Sequence, residues 1–170
     1  MDKLIYTYND IHDIIANSIN PLILYKPTMI VAIGGGGFIP GRILRTFLRE
    51  KVNKGINMYG ISVELYNDET NTQHEKLKKI QWFDDVSILK GQRVLLVDEV
   101  DDTRKTLQYC VDEIKKYGIE DIAVYVIHNK KKEKMGDLGD TLYFAGEHVQ
   151  DKWIVYPWEN AKHVNKVDDL

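Results

Sequence analysis

The sequence has little of several features, and each shortage excludes a class of protein. Only one of its 170 residues is cysteine, which excludes an internal disulfide framework. No apolar run approaches the ~20 residues that a membrane-spanning helix needs. Neither charge dominates, because 23 Lys and Arg stand against 26 Asp and Glu for a net charge of -3. The chain therefore shows no surface built for nucleic acid or for an anionic membrane.

The rest of the composition is typical of a globular protein. Hydrophobic residues make up 44% of the chain, and its 170 residues suffice for one domain with a substantial core. Met1 to Leu4 lack the charged-then-apolar pattern of a signal peptide, so we expect a cytoplasmic protein. Cys110 falls on the apolar face of a predicted helix, and we expect it to be buried and inert.

Helical and strand patterns alternate along the chain. Apolar residues recur at helical spacing in residues 8–20, 39–49 and 104–117. Short apolar runs predict strands at residues 29–33, 58–65, 93–97 and 122–128. This alternation predicts an α/β fold, in which a parallel twisted sheet is flanked by helices and ligands bind at the carboxyl ends of its strands.

Two segments do not follow the alternation. Residues 66–79 are polar and without periodicity, which is typical of a lid over a reacting centre. The tail from Thr141 onward contains Trp153, Tyr156, Pro157 and Trp158, and we expect it to leave the sheet and cap its edge.

The stretch from Val94 to Leu107 carries the clearest functional signal. Four apolar residues run directly into four acids and then into hydroxyl and cationic residues: Asp98, Glu99, Asp101, Asp102, Thr103, Arg104, Lys105 and Thr106. The helix that follows begins with free amides and the positive end of its dipole, which suit phosphate. The acids could bind hydroxyls, hold a divalent cation or move a proton. A solvated acidic loop is the alternative, which the buried strand before the acids disfavours.

Four glycines, Gly34 to Gly37, follow the first predicted strand. A dinucleotide-binding fingerprint would need glycine at position 39, which is Ile39, and no Walker A sequence is present. A tight turn and a phosphate-binding loop both stay open for this run.

Residues 98–106 resemble the phosphoribosyl-pyrophosphate loop of the type I phosphoribosyltransferases, and the resemblance extends over nearly the whole chain. It is closest to the 6-oxopurine salvage enzymes of the fungal hypoxanthine-guanine kind. The resemblance implies a single domain, with a core of about residues 25–128 and a small C-terminal hood of about residues 129–170 that the N-terminal segment completes. The glycine run would bind pyrophosphate through Gly35 and Gly36, with a non-proline cis peptide expected at Gly35–Gly36.

The resemblance also implies a role for each residue of the acidic stretch. Asp98 and Glu99 would hold the ribose hydroxyls and help to place Mg²⁺, and Asp102 would take the N7 proton of the purine. Asp101 belongs to the same phosphoribosyl-pyrophosphate-binding loop, and residues 103–106 (Thr103, Arg104, Lys105 and Thr106) would cradle the 5′-phosphate. Many relatives have glycine where this chain has Arg104, whose side chain would contact phosphate or point outward.

A purine site is implied near the C-terminus. The segment around Trp153 is similar to the hood of bacterial xanthine-guanine phosphoribosyltransferases, where the tryptophan stacks on the base. Ile154 would meet the C2 side of the base through its backbone, and Lys130 would read the 6-oxo group. Relatives often carry Lys or Arg at the position of Gly35, and we consider Arg42 as the replacement cation for pyrophosphate.

The implied reaction is Mg²⁺-dependent transfer of a 5-phosphoribosyl group to N9 of hypoxanthine or guanine, with release of pyrophosphate. The implied partners are the purine base and phosphoribosyl pyrophosphate, without nucleic acid or membrane, in a homodimer or homotetramer. Three alternatives stay open: a xanthine phosphoribosyltransferase, a phosphoribosyl-pyrophosphate-sensing regulator that acts through nucleic acid, and a nucleotide-binding protein of the Rossmann kind.

Overall fold

The computed structural model describes residues 3–66 and 76–160. Its elements in chain order are β1 (Lys3–Ile5), α1 (Tyr8–Asn17), α2 (Asn20–Tyr25), β2 (Met29–Ile33), α3 (Phe38–Lys51), β3 (Asn57–Tyr66), β4 (Lys76–Gln81), β5 (Arg93–Asp101), α4 (Lys105–Lys115), β6 (Asp121–Lys131), β7 (Leu142–Gln150) and β8 (Trp153–Val155). Short 3₁₀ turns lie at Val86–Leu89 and Pro157–Glu159. None of the helices in these ranges is both long and apolar enough to cross a membrane.

A six-stranded sheet with the order β4-β3-β2-β5-β6-β7 forms the centre of the fold. All neighbouring strands in it are parallel except β4, which is antiparallel to β3. Every residue of β2 is buried, as a strand covered by helices on both faces requires. The predicted α/β class with a mainly parallel sheet is therefore confirmed.

Helices cover the two faces of the sheet and create two apolar cores. On one face, α1, α2 and α3 bring Ile11, Leu22 and Leu44 against the sheet residues Leu95 and Tyr125. On the other face, α4 packs Leu107, Cys110, Val111 and Ile114 against Val94 and Val124. Cys110 is fully buried, which confirms the expected burial, and burial raises the pKa of its thiol.

The helix predicted at residues 8–20 is wrong at its C-terminal end, because two helices replace it. Thr7 caps the first through a reciprocal capping box with Asp10. This helix ends where the Ser18 hydroxyl bonds to the carbonyl oxygens of Ile14 and Ile15, at 2.8 and 3.2 Å. Pro21 then stands in the first turn of α2, where its missing N–H costs nothing.

The expectation that the tail leaves the sheet is also wrong. Residues Leu142–Gln150 form β7, which extends the sheet as a parallel neighbour of β6. The chain leaves the sheet only afterwards, and β8 pairs in parallel with β1, with Trp153 opposite Lys3. A second, two-stranded sheet thus joins the N-terminal segment to the C-terminal one.

The polar segment at residues 66–79 is partly strand rather than loop. Tyr66 ends β3, and Lys76 to Lys79 belong to β4, with Lys79 opposite Val63. A lysine-rich strand at the edge of a sheet lacks the apolar periodicity that would reveal it, since its charges keep the edge in water. The central part of the predicted lid, residues 67–75, lies outside the described residues.

Candidate active site

The site lies at the carboxyl ends of three adjacent parallel strands. The glycine run follows β2, the acids end β5, and Asn129 and Lys130 end β6. Asp101 is the register partner of Asn129, and Val97 is the partner of Ala32, so the three strand ends lie side by side. The fold therefore brings together segments that are far apart in sequence, at the edge where ligands of such sheets bind.

The predicted phosphate loop surrounds a cavity of about 230 Å³ at the start of α4. Its lining runs along the chain from Asp98 to Leu107 and includes Thr103 and Thr106. Gly136 supports the loop from behind, because a Cβ there would lie 2.5 Å from the carbonyl oxygen of Arg104. The Gly136 amide also donates to the Thr103 carbonyl at 3.1 Å. The sequence reasoning missed this glycine, whose role depends only on a tertiary contact.

Asp101 and Arg104 face each other inside the loop. The Asp101 side chain is buried, and its Oδ2 accepts hydrogen bonds from Arg104 Nε and Nη2 and from the Tyr143 hydroxyl. The Arg104 guanidinium also lies over the Tyr143 ring, 4.7 Å from its centroid. Arg104 therefore points into the loop rather than outward, and both Asp101 and Arg104 line the cavity, where a contact with phosphate stays a prediction.

Asp98 and Glu99 are neighbouring acids, and their hydrogen bonds do not outweigh the effect of burial on their ionised forms. Burial raises the pKa of Asp98 to about 8, although its Oδ1 accepts a hydrogen bond from the Glu99 amide at 2.8 Å. Burial also raises the pKa of Glu99 to about 7, against a hydrogen bond from Trp158. A divalent cation beside these two carboxylates would favour their ionised forms and so offset the effect of burial on both pKa values.

The donor set at this place fits Mg²⁺ in one particular way. Among residues 3–66 and 76–160, no group of three or more His, Cys, Asp or Glu side chains is arranged to hold a metal ion. Mg²⁺ commonly binds through one or two carboxylates together with substrate phosphates, rather than in an all-protein cage. Asp98 and Glu99 would supply the carboxylates for such a site, and a phosphorylated substrate would supply the rest.

Asp102 lies in a cluster of opposite charges. Its Oδ1 is 2.9 Å from Lys132 Nζ and 3.8 Å from Lys130 Nζ. The same two lysines reach Asp151, at 3.1 and 3.8 Å. Burial favours the neutral form of Asp102, but the hydrogen bond from Lys132 and the nearby lysine charges lower its pKa. Asp102 is thus held as a carboxylate beside two cations.

Lys134 holds the ends of β5 and β6 together. Its Nζ donates to the carbonyl oxygens of Asp101, Asp102 and Lys130, at 2.8, 3.0 and 2.9 Å. It also lies 3.5 Å from Asp101 Oδ1. Neither Lys132 nor Lys134 was predicted as a site residue, because a lysine run in a sequence is typical of a solvated loop.

The glycine run differs from the expectation at one bond. The cis peptide lies between Gly34 and Gly35, not between Gly35 and Gly36. The Gly34 amide still donates to the Ile61 carbonyl of β3 at 2.6 Å, so the chain turns away from the sheet directly after Gly34.

The space available for a side chain differs among the four glycines. A Cβ on Gly36 would lie 2.2 Å from Glu99 Cδ, and one on Gly37 would lie 2.5 Å from the Val97 carbonyl oxygen. A Cβ on Gly35 would meet nothing within 4 Å, so a larger residue would fit there. Arg42, considered as the replacement cation, donates from Nη1 to Thr46 and lines a groove that contains no residue of the glycine run.

The predicted purine-binding residues lie on β6 and β8. Trp153 is 60% exposed, which leaves its ring available for stacking, whereas Ile154 is buried. The Lys130 side chain is only 13% exposed, and its ammonium group lies equally close to Asp102 and Asp151.

The mainly parallel α/β sheet, with an acidic loop and a glycine-rich turn at its strand ends, agrees with the class of enzyme that the sequence resembles, the phosphoribosyltransferases. The chain belongs to the phosphoribosyl transferase domain family, whose profile matches residues 5–159.

Individual relatives agree with this membership. The chain is 38% identical to the hypoxanthine-guanine phosphoribosyltransferase of Schizosaccharomyces pombe, over 99% of this chain and 97% of the relative. It is 35% identical to xanthine phosphoribosyltransferase 1 of Saccharomyces cerevisiae, over 93% of this chain and 90% of the relative.

Two solved structures are also similar to the chain. A hypothetical protein from Neisseria gonorrhoeae with bound ppGpp has a TM-score of 0.86 and 40% identity, covering 95% of this chain and 91% of that one. A purine phosphoribosyltransferase from Pyrococcus horikoshii has a TM-score of 0.76 and 30% identity, covering 98% of this chain and 100% of that one.

Proposed function

We propose that this protein transfers the 5-phosphoribosyl group of phosphoribosyl pyrophosphate to N9 of hypoxanthine or guanine, which yields IMP or GMP and pyrophosphate. The relatives named hypoxanthine-guanine phosphoribosyltransferase support this choice of reaction, at 38% identity over nearly the full length. The similarity to a structure that holds ppGpp, a guanine nucleotide, supports a site that accepts guanine.

One observation carries the choice of base: Lys130 Nζ lies 3.8 Å from Asp102 Oδ1. A 6-oxopurine presents an acceptor, the 6-oxo oxygen, directly beside N7, which carries a proton that must leave or move during transfer. An ammonium group is a pure donor and a carboxylate a pure acceptor, so Lys130 and Asp102 match the order of acceptor and donor on this edge of the base. Adenine would place a donor, its 6-amino group, against the lysine.

The remaining residues would position the two substrates. Trp153 offers an exposed aromatic face for the flat purine ring, and the backbone of Ile154 would meet its C2 side. The 5′-phosphate would lie in the cavity at the start of α4, which Thr103 and Thr106 line, with Lys105 next to them in the chain. Gly35 and Gly36 would present amides to the pyrophosphate.

Two groups would lower the barrier to transfer. Asp98 and Glu99 would orient the ribose hydroxyls and hold Mg²⁺, which when bound neutralises charge on the leaving pyrophosphate. Asp102 would accept the N7 proton, for which its carboxylate form is the competent one. Its lowered pKa keeps that form populated at neutral pH.

The test is an assay of pyrophosphate release with hypoxanthine, guanine, xanthine and adenine, each with phosphoribosyl pyrophosphate and Mg²⁺. We expect the first two bases to be used at least about tenfold better than adenine, because an unpaired buried donor costs roughly 1–3 kcal/mol. Preference for xanthine would move the chain to the branch of its yeast xanthine relative. Binding without transfer to any base would support a sensing regulator instead.

We also propose a cytoplasmic location and a homodimeric or homotetrameric assembly, as the resemblance implies. Sedimentation of the purified chain, with and without its substrates, measures the assembly directly. A monomer at assay concentration with full activity would contradict the proposed oligomer.

A further inference from the structure

The segment after β8 reaches back to the acidic loop through Trp158. The indole Nε1 donates a hydrogen bond to Glu99 Oε2 at 2.8 Å, across 59 positions of the chain. The Trp158 ring stacks on Tyr156, with centroids 4.8 Å apart and planes 8° from parallel. A tryptophan that is five residues from the exposed Trp153 thus touches one of the two candidate metal-binding acids.

Two further contacts show how closely Glu99 is held. Its carboxyl group lies against the glycine run, since a Cβ on Gly36 would be 2.2 Å from Glu99 Cδ and 2.6 Å from Oε1. The Tyr156 hydroxyl lies 3.2 Å from the Glu99 carbonyl oxygen and 2.8 Å from His128 Nδ1. Residues of the C-terminal segment therefore contact both the backbone and the side chain of Glu99.

We propose that Trp158 is a positioning residue for Glu99, and this proposal rests on the proposed function. An indole has one donor and no acceptor, so it occupies Oε2 and leaves Oε1, which lies over Gly36, for a ribose hydroxyl or Mg²⁺. The hydrogen bond fixes the side-chain rotamer of Glu99 before substrate binds, which reduces the entropy lost on binding. It also connects the segment that carries the purine-stacking Trp153 to the phosphoribosyl-pyrophosphate site.

A purely structural role would rest on packing, because Trp158 also contacts the apolar core on the side of α1 to α3. The two roles make different predictions for a variant that keeps the ring and loses the donor. Replacement of Trp158 by 3-benzothienylalanine changes the N–H to sulfur and preserves the shape of the ring. Trp158→Phe loses the donor and part of the packing.

The chain provides its own matched controls, because it has three tryptophans. Trp153→Phe alters the candidate purine site and leaves the contact to Glu99 in place. Trp82→Phe changes a tryptophan that packs against Phe83 and Lys79 directly after β4 and does not line the cavity at the start of α4. The three substitutions are chemically identical and differ only in their place.

The experiment measures the dissociation constant of phosphoribosyl pyrophosphate by calorimetry with and without Mg²⁺, the KM values of both substrates, and the unfolding midpoint. We expect the benzothienyl variant and Trp158→Phe to weaken phosphoribosyl-pyrophosphate binding about tenfold, as expected for a lost hydrogen bond to a charged group. The KM of the base should stay within about twofold, and the benzothienyl variant should unfold at the wild-type midpoint. Trp153→Phe should instead raise the KM of the base and leave the KM of phosphoribosyl pyrophosphate near its wild-type value. Trp82→Phe should match the wild type in both KM values.

Combination with Glu99→Gln checks the route of the effect. If Trp158 acts through Glu99, the double variant should bind phosphoribosyl pyrophosphate no more weakly than Glu99→Gln alone. Wild-type affinity in the benzothienyl variant, or fully additive losses, would overturn the positioning role. A wild-type chain that binds phosphoribosyl pyrophosphate but transfers it to no base would refute the proposed reaction and leave the comparison of tryptophans intact.

Discussion

Two nitrogens of the Arg104 guanidinium donate to one carboxylate oxygen of Asp101, at the point where β5 leads into α4. Asp101 Oδ2 accepts from Arg104 Nε at 2.9 Å and from Nη2 at 2.8 Å, and the Asp101 side chain has no exposed surface. Arg104 adopts a left-handed backbone conformation, with φ of 70°, where glycine would be relaxed. The ion pair therefore holds the loop in a conformation that the backbone of arginine disfavours.

This relationship predicts the effect of two substitutions at position 104. Arg104→Ala should lower the free energy of unfolding by roughly 3 kcal/mol, because it leaves the buried Asp101 carboxylate with weaker compensation. Arg104→Gly removes the same ion pair but relieves the left-handed strain, so it should be more stable than Arg104→Ala by about 1 kcal/mol. Urea unfolding of the three proteins measures both differences. An alanine variant as stable as the glycine variant would show that the backbone stores no strain at this position.

Asp102 should act as the base of the reaction. Asp102→Asn keeps the shape of the side chain and removes the proton acceptor, so turnover should fall by about 10²–10⁴. Asp151→Asn is the matched control, because Asp151 pairs with the same lysine and is equally exposed, at 46% against 47%. We expect the control to keep turnover within about fivefold. Equal losses in both variants would assign the effect to the charge cluster and not to Asp102 itself.

Trp153 should contribute to binding of the base without contributing to stability. Its side chain is 60% exposed, so removal of the ring costs little packing. Trp153→Ala should raise the KM of hypoxanthine by about tenfold or more, in line with the roughly 1–3 kcal/mol of base–aromatic stacking. Trp153→Phe keeps a smaller aromatic face and should recover only part of the loss. A shifted melting temperature in the alanine variant, with unchanged KM, would place the ring in the core instead.

His128 should make the stability of the fold depend on pH. It is fully buried, its Nδ1 lies 2.8 Å from the Tyr156 hydroxyl, and its Nε2 lies 3.6 Å from Glu147 Oε2. Burial lowers the pKa of His128 from 6.5 to about 4. As pH falls through this window, the unfolded chain takes up a proton before the folded one, so up to about 3 kcal/mol of stability should be lost.

The comparison with His128→Asn isolates this contribution. Asparagine can still bond to the Tyr156 hydroxyl and does not titrate. The stability of His128→Asn relative to the wild type should therefore rise as pH falls from 7 to 4. Asp98 and Glu99, whose pKa values burial raises, act in the opposite direction in both proteins and cancel in the difference. Urea unfolding at several pH values measures the two curves, and parallel curves would exclude His128 as the cause.

Much of the fold could be predicted because the information is local. The strand Met29–Ile33 was predicted with its observed bounds. A continuous run of five apolar residues is typical of a strand that is buried on both faces of a parallel sheet. The acidic loop was recognised for a similar reason: strand, acids and helix start follow one another directly in the chain. The alternation of such local units determined the α/β class.

The tertiary structure decided what depends on partners distant in the chain. It paired β8 with β1, turned Asp101 inward to Tyr143, and placed Trp158 on Glu99, 59 positions away. Periodicity shows which face of an element is buried, but it does not show which element covers that face. The sequence pattern of a lysine run, a lone tryptophan or a short edge strand is the same on a solvated surface as in a binding site. Only the packing of the chain distinguishes these two environments.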